Sequence, residues 1–529
     1  MKTKKHPEVT LYDTTLRDGT QGEGLNFSSL DKIRVAQELD AFGMHYIEGG
    51  WPGSNPKDVS FFKRAADLEW KHARIAAFGS TRRKNVEVDD DPQVQLLLDA
   101  KTPVITFFGK SWRLHVTDVL ATTEEENQAM IRDTARFLKE HDREVIYDAE
   151  HFFDGYKNSA DHALATLVAA KEGGADWLVL CDTNGGTMPD EVASITEVVV
   201  RELGVPVGIH AHDDTGVGVA NSLASVRSGA TLVQGTVNGY GERVGNGNLT
   251  TIIPNLQLKM NRPVVEDISR LSHLAHFVDD LANNDHNIRA PYVGATAFAH
   301  KGGMHVNAVQ KIAHSFEHIP PKTVGNRQRI LISELSGQSN VLMKAEELGI
   351  HVKKGSPEAK EILTNLKVLG EQGYEFEAAE ASFELLIRKH LSTYHPFFDL
   401  LEYHCTFRRD GEENYTGCSA TVKLAVDEKE QYTVAEGDGP VNALDGALRK
   451  ALIPVYPGIE SVELKDYKVR IIDSAQGTAA KTRVLIVSSD GKGQMWGTVG
   501  VSTNIIEASW LALVDSVEYY LIRQGVDKE

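Results

Sequence analysis

From Val9 to about residue 260, short runs of aliphatic and β-branched residues alternate with longer stretches whose apolar positions recur every three or four residues. The first pattern reads as a buried strand and the second as an amphipathic helix. Strands are expected at Val9–Tyr12, Met44–Glu48, Ala73–Phe78, Pro103–Phe108, Glu144–Tyr147, Trp177–Cys181, Val205–His212 and Leu232–Val237. Helices are expected between them, at Ser28–Phe42, Lys57–Trp70, Pro92–Ala100, Glu124–His141, Ser159–Glu172, Pro189–Leu203, Val217–Ser228 and Gly247–Met260. Start signals support several: Ser28-Ser29 ahead of Asp31, Thr122-Thr123 ahead of a run of Glu, and Met188-Pro189-Asp190-Glu191. Gly43, Gly173-Gly174 and Gly229 suit left-handed caps at helix ends.

Eight strand–helix repeats in about 250 residues is the count of a TIM (β/α)8 barrel. An open doubly wound sheet is the alternative, but it more usually stops at five or six strands. In a barrel, functional side chains gather at the C-terminal ends of the strands. Polar residues do cluster there: Arg17-Asp18, Glu48, Ser80-Thr81-Arg82-Arg83, Glu150, Asp182-Thr183-Asn184, His210, His212 and Asn238.

The pattern changes after the barrel. From Val264 to about Leu391 it is largely helical, with Ile268–Leu281, Val341–Leu348, Ala359–Val368 and Ala378–Lys389 as helices. After Thr393-Tyr394-His395-Pro396 the apolar residues alternate with period two. Three strands (Leu401–Phe407, Ser419–Val426, Gln431–Glu436) precede a helix at Asn442–Leu452. The order repeats in Val462–Ile472, Thr482–Ser488, Gln494–Val501 and the helix Ile505–Ile522. The expected organisation is therefore a TIM-barrel catalytic domain over 1–262, helical linker subdomains over 263–395 and a C-terminal α+β domain over 396–529.

Composition narrows the function. A chain of 529 residues exceeds one ordinary domain. Its formal charge of -19 argues against nucleic acid as a partner. The three cysteines, Cys181, Cys405 and Cys418, are too widely spaced for a disulfide framework or a zinc–thiolate site, which suits a reducing cytoplasm. Met1–Thr10 is basic without an apolar stretch behind it, so no signal peptide is expected. No apolar run reaches the ~20 residues of a membrane helix, so no membrane association is expected.

Two stretches carry chemistry. Leu11-Tyr12-Asp13-Thr14-Thr15-Leu16-Arg17-Asp18-Gly19 starts as a strand and ends with a guanidinium beside a carboxylate. Such a pair suits a site that holds both a cation, on Asp18, and a substrate oxygen that becomes negative, on Arg17; a salt bridge at a strand end is the plainer alternative. In Ile209-His210-Ala211-His212-Asp213-Asp214, residues two apart on a strand point to one side, so His210 and His212 present two imidazoles to one point. Two neutral nitrogens and a carboxylate, with positions left open, suit a catalytic divalent cation. Gly239-Tyr240-Gly241-Glu242-Arg243-Val244-Gly245-Asn246-Gly247-Asn248 lacks the Gly-Lys-Ser/Thr ending of a Walker A loop. Asn246 could add a neutral oxygen ligand. Arg82-Arg83-Lys84 is a basic cluster at the mouth of the expected barrel that could meet a ligand's phosphates or be a solvated loop.

Leu16-Arg17-Asp18-Gly19-Thr20-Gln21, His210-Ala211-His212-Asp213-Asp214-Thr215-Gly216 and Gly241-Glu242-Arg243-Val244-Gly245-Asn246, in this order, resemble the 2-isopropylmalate, homocitrate and citramalate synthases. Within that family, Gly49-Gly50-Trp51-Pro52-Gly53-Ser54-Asn55-Pro56 and Tyr147-Asp148-Ala149-Glu150-His151-Phe152-Phe153 look most like the (R)-citramalate branch. The resemblance implies that acetyl-CoA condenses with a 2-keto acid, pyruvate in that branch, and that the thioester is then hydrolysed. It implies a divalent metal, Mg2+ or Mn2+ with Zn2+ left open, on Asp18, His210, His212 and Asn246. It implies Arg17 as the group that stabilises the alkoxide, Glu150 and His305 as proton-transfer groups, and Gln21 and Thr183 as substrate contacts. It also implies a homodimer and a C-terminal regulatory domain that binds the pathway's amino-acid end product, isoleucine in this branch. An oligomerisation domain without a ligand is the alternative.

Two departures bear on the branch. The isopropylmalate pattern around the fifth-strand Glu is Ser-Pro-Glu-Asp, whereas this chain has Asp148-Ala149-Glu150-His151. The family tends to have a Tyr, reaching the neighbouring subunit's site, near the position of Phe316; the hydroxyl is gone here, so that role is not carried over. Taken alone, Glu150 could simply pair with Lys157, and Thr183 could cap the helix near Met188. Competing functions are an isopropylmalate or homocitrate synthase using another 2-keto acid, a metal-dependent aldolase or lyase of the same barrel group, and a non-catalytic amino-acid sensor.

Overall fold

The computed structural model describes residues 8–301, 308–309, 311–331, 338–391, 394–409, 416–427 and 429–525. It contains a closed barrel of eight parallel strands. These are β1 (Thr10–Asp13), β2 (Tyr46–Gly50), β3 (Arg74–Ser80), β4 (Val104–Lys110), β5 (Glu144–Glu150), β6 (Trp177–Asp182), β7 (Val207–Ala211) and β8 (Leu232–Gly235). Closure is direct, with Thr10 to Asp13 of β1 in register with Leu232 to Gly235 of β8.

Side-chain alternation sorts the strand residues into two sets. Leu11, Ile47, Ile105, Phe107, Val145, Tyr147, Leu180, Ile209, Ala211 and Val233 belong to the shell packed under the helices. Tyr12, Tyr46, Ala76, Val104, Ile146, Val179, Cys181 and Leu232 form a second cluster inside the barrel. Period two then sends Glu48, Phe78, Thr106, Asp148, His210 and Gln234 inward too, one step further along each strand. The barrel interior is thus apolar below and turns polar toward the C-terminal ends.

The helices start where side chains can take up free amides. Ser28 forms a capping box with Asp31, and Asn55 and Thr123 accept from Asp58 N and Glu126 N. Gly43 and Gly174 end their helices at φ of 100° and 92°, a region costly for a side chain. The expected helix at Gly247–Met260 is shorter. Pro254 lacks an amide proton, and the chain forms a helix over Leu249–Pro254 followed by a π-turn over Asn255–Lys259. A short helix, Phe152–Asn158, also lies where no helix was expected.

The chain divides into two compact units, Met1–Phe298 with Ile319–Gln328, and Ala299–His318 with Arg329–Glu529. The first holds the barrel and the helix Leu271–Ala282, whose Leu271, Leu274, Ala275 and Val278 join the shell. The second holds helices Gln338–Glu347, Pro357–Gln372 and Glu380–Lys389. It also holds two antiparallel three-stranded sheets, each followed by a helix. The first sheet, Asp399–Arg409, Thr416–Val426 and Lys429–Gly437, precedes Pro440–Leu452; the second, Glu463–Ile471, Thr482–Ser489 and Met495–Ser502, precedes Ile505–Arg523. Ala443, Leu444, Ala447, Leu448, Trp510 and Val517 of these helices meet the inner sheet faces in a shared core. No helix among the described residues is long and apolar enough to cross a membrane.

Candidate metal and substrate site

At the C-terminal end of the barrel a cavity of about 220 Å³ is lined by Arg17, Asp18, Gln21, Trp51, Phe78, Phe108, Asp148, Glu150, Cys181, Thr183, His210, His212 and Glu242. Seven of the nine candidate residues therefore face one space. Asn246 lies beside it, its Nδ2 2.9 Å from Asp18 Oδ2. His305 falls within 302–307, outside the described residues.

Asp18, His210 and His212 each place a ligand atom within 4.8 Å of the others. His210 Nε2 is 3.2 Å from Asp18 Oδ2, and the two Nε2 atoms are 3.3 Å apart. Two imidazole lone pairs this close repel unless a proton or a cation lies between them. Burial and then the neighbouring His210 push the His212 pKa down to about 3, so His212 is neutral, as a ligand must be. Burial alone would lower His210, but the bond to Asp18 outweighs it and draws positive charge to Nε2. Burial likewise works against Asp18 ionising; Arg17 and then His210 outweigh it and hold the carboxyl far below its ordinary value. A cation at the meeting point answers the same field.

Asn246 supports that fit. Its Oδ1 is buried with no hydrogen-bond partner. The oxygen and nitrogen of an amide are told apart by the hydrogen bonds each can make. Rotating this amide by half a turn brings the oxygen to Asp18 and His210, where only a cation would satisfy it. The seat of this amide depends on Gly241, where an added Cβ would lie 2.2 Å from Asn246 Oδ1. Gly241→Ala is expected to displace the amide and lower turnover about tenfold or more while the thermal midpoint moves little; steady-state rates and a melting curve on one preparation check this.

Arg17 is oriented from three sides. Its Nε donates to Glu48 Oε1 at 2.5 Å, its Nη1 lies 3.5 Å from Asp18 Oδ1, and its guanidinium sits 3.7 Å from the Phe78 ring centroid. Glu48 is fully buried and accepts a second bond, from Tyr12 Oη at 2.7 Å; Tyr12 in turn meets Thr106 Oγ1. Nε is thus committed to Glu48 and Nη1 leans toward Asp18, with the residue lining the cavity. Trp51, Phe78 and Phe108 form an aromatic wall, with Phe78 and Phe108 stacked at 5.6 Å and Trp51 edge-on to both. Asp58 holds the wall's loop by accepting from Trp51 N–H, while the buried Lys32 pairs with Asp58.

Several alternatives to a site role can now be settled by contacts. Glu150 pairs with Lys110, not Lys157, whose amine instead reaches Thr187 Oγ1. Thr183 does not cap the following helix; its hydroxyl accepts from His151 N–H at 2.8 Å, and Glu191 reaches back to Met188 N–H instead. Arg82 is buried and committed to Glu126 and Asp133, both at 2.8 Å, so it is not available to CoA phosphates. Lys84 donates to the carbonyls of Leu120 and Ala121. Asn238 bonds Asp279 and the Ala275 carbonyl, which ties the β8 loop to the helix Leu271–Ala282. Phe316 is half exposed.

Three groups escaped the sequence reading. Gln234 and Asp148 stand behind His210, and Arg243 joins three loops. Its guanidinium bonds both Asp214 carboxylate oxygens, at 2.7 and 2.8 Å, and the Thr183 carbonyl at 2.7 Å. The loops after β6, β7 and β8 are thereby locked together around the cavity.

Comparison with known proteins follows the same division. The HMGL-like family model matches residues 8–278, the homocitrate synthase post-HMGL domain-like model residues 292–374, and the LeuA allosteric (dimerisation) domain model residues 377–521. An (R)-citramalate synthase of Aquifex aeolicus is 53% identical over 98% of both chains. One of Geobacter sulfurreducens is 52% identical over 97% of both chains. A 2-isopropylmalate synthase of Methanocaldococcus jannaschii is 29% identical, covering 98% of this chain and 95% of that one.

Proposed function

Because this chain belongs to the (R)-citramalate synthase family of HMGL-like barrel enzymes, we propose that its site condenses acetyl-CoA with pyruvate. The products are (R)-citramalate and CoA. The observation that carries the site assignment is the convergence of Asp18, His210 and His212 within 4.8 Å beside Arg17. Asp18, His210, His212 and the Asn246 amide oxygen would hold a divalent cation, and oxygen and imidazole donors suit Mg2+ or Mn2+ better than a thiolate-seeking metal. When bound, that cation polarises the keto group of the substrate.

The chain's own residues do the rest. Arg17 binds the keto oxygen through its Nη groups and stabilises the charge that grows there as the new C–C bond forms. Thr183 and Gln21 hold the pyruvate carboxylate. Glu150, tied to Lys110, takes part in proton transfer at the acetyl methyl group, and His305 is the second proton-transfer group that the family resemblance implies. The carbanion attacks the keto carbon, the oxygen is protonated, and water then cleaves the thioester, releasing the CoA thiol and a carboxylate. The aromatic wall of Trp51, Phe78 and Phe108 shields the carbanion from water during C–C bond formation, before the hydrolysis.

The wall also fits a small keto acid. Phe78, whose ring centroid lies 3.7 Å from the Arg17 guanidinium, and Phe108 stacked on it bound the cavity on the side next to Arg17, which favours a short substrate side chain in this reading. A panel of 2-keto acids with a thiol-release readout tests the assignment. Pyruvate is expected to give the highest kcat/KM, and Phe108→Ala to shift the ratio of 2-ketobutyrate to pyruvate upward about tenfold. Equal or greater wild-type turnover of 2-ketoisovalerate would point to isopropylmalate synthesis instead. C–C cleavage of citramalate without CoA release in the forward assay would point to a lyase.

The second unit has the features of a dimerising regulatory domain. Its first sheet exposes Leu401, Phe407, Tyr432 and Val434, and its second exposes Leu464, Val469 and Ile471, an apolar surface suited to a second copy of the chain. Isoleucine is the effector that the citramalate branch implies. Titrating isoleucine into the pyruvate assay while following mass by light scattering tests both points.

A further inference from the structure

The two imidazoles of the site are not equivalent. His210 Nδ1 lies 2.8 Å from Gln234 Oε1, and Gln234 Nε2 lies 2.9 Å from Asp148 Oδ1. Gln234 is fully buried, and His210 and Asp148 are 5% and 4% exposed. Among the described residues, His212 Nδ1 is buried with no hydrogen-bond partner.

We propose that Asp148 and Gln234 form a directional relay that fixes His210 as the permanent imidazole ligand, leaving His212 as the adjustable one. The direction follows from what each group can give. Gln234 Nε2 donates to Asp148 Oδ1, and the ionised carboxylate, which can only accept, requires this NH2 end of the amide. The amide oxygen is then turned to His210, where it can only accept. His210 must therefore carry its proton on Nδ1 and present the lone pair of Nε2 to the cation. A Gln in place of the usual carboxylate or carbonyl partner orients the ring without adding a negative charge directly behind it. Carbonyl and amide partners of this kind commonly contribute a factor of ten to a hundred in metal affinity.

The sequence places these residues far apart, on β5, β7 and β8, and the barrel brings them together through the inward row. Gln234 and Asp148 are positioning residues: they act through His210. His212 has no such partner, so its ring can tilt as substrate enters the coordination sphere. That freedom suits a cation whose ligands must rearrange between the keto acid and the product.

This inference rests on the metal reading of Asp18, His210 and His212, and the test separates the two. Mn2+ binding to the metal-stripped full-length enzyme is measured by calorimetry for the wild type, Asp18→Ala, Gln234→Met and Asp148→Asn. Met fills the volume of Gln without an acceptor. Gln234→Met is expected to weaken Mn2+ binding ten- to hundredfold with circular dichroism unchanged. In the Mg2+-loaded wild type, 15N spectra should show the His210 proton on Nδ1, and that signal should exchange faster in Gln234→Met. A folded Gln234→Met that binds Mn2+ within twofold of wild type overturns the relay. Should Gln234→Met fail to fold, Asp148→Asn decides: severalfold weaker Mn2+ binding is expected, since Asn no longer dictates the amide's direction, and unchanged binding overturns the relay. Unchanged binding in Asp18→Ala would overturn the metal reading itself.

Discussion

Asp18→Ala is expected to lower turnover by about 10³-fold or more and to abolish tight binding of a divalent cation. In the proposed ligand set Asp18 is the carboxylate beside two imidazoles and an amide. Without it, no negative charge remains among the ligands to offset a cation next to the Arg17 guanidinium. The same variant leaves two lone pairs 3.3 Å apart with nothing between them. His210→Ala should fall in the same class. A rate assay in chelator-treated buffer with metal added back checks both, and near-normal rates in either variant would remove this site from the mechanism.

Arg17→Lys is the second large effect, with a drop of about 10²- to 10³-fold in kcat. Charge is conserved, so the loss reads geometry alone. Arg17 uses Nε for Glu48 and its flat face for Phe78, and in the proposed role its Nη groups meet the substrate. A lysine offers one point charge and cannot satisfy Glu48 and the keto oxygen at once. Glu48 would then draw the ammonium away from substrate into the Tyr12–Thr106 network. Pre-steady-state measurement of the condensation step checks this, and an unchanged rate constant would mean that Arg17 does not touch the developing charge.

The barrel was legible because its strands are buried on both faces and its helices on one, which gives two distinct periodicities. All eight strands occur where the apolar runs lie, with ends displaced by at most three residues. The ends move because polar residues close the strands. Asp148 to Glu150 read as loop, yet they continue β5 to the rim. Pro254 shortened one helix, and Gly155 masked another. The twice-repeated order of three strands and a helix in the C-terminal domain was legible from period two alone.

The site was legible in part. His210 and His212 declare themselves by spacing along one strand, and Asp18 by its place beside Arg17. Gln234, Glu48 and Asp148 do not, because their partners are 24, 31 and 86 residues away in sequence and a lone polar residue in a strand carries no address. The Arg243 clamp was hidden likewise within a glycine-rich stretch. The basic run at Arg82 left two readings open, a phosphate contact and a solvated loop, and neither describes Arg82, which is buried and paired with Glu126 and Asp133.

The account turns on a single cation held by residues from opposite ends of the barrel sequence. Crystals of the enzyme grown with Mn2+ and measured above the manganese absorption edge test it most directly. One strong anomalous peak is expected about 2.0–2.3 Å from Asp18 Oδ, His210 Nε2 and His212 Nε2 together. A map with no peak among those three atoms, or with its strongest peak bound by other residues, would contradict it.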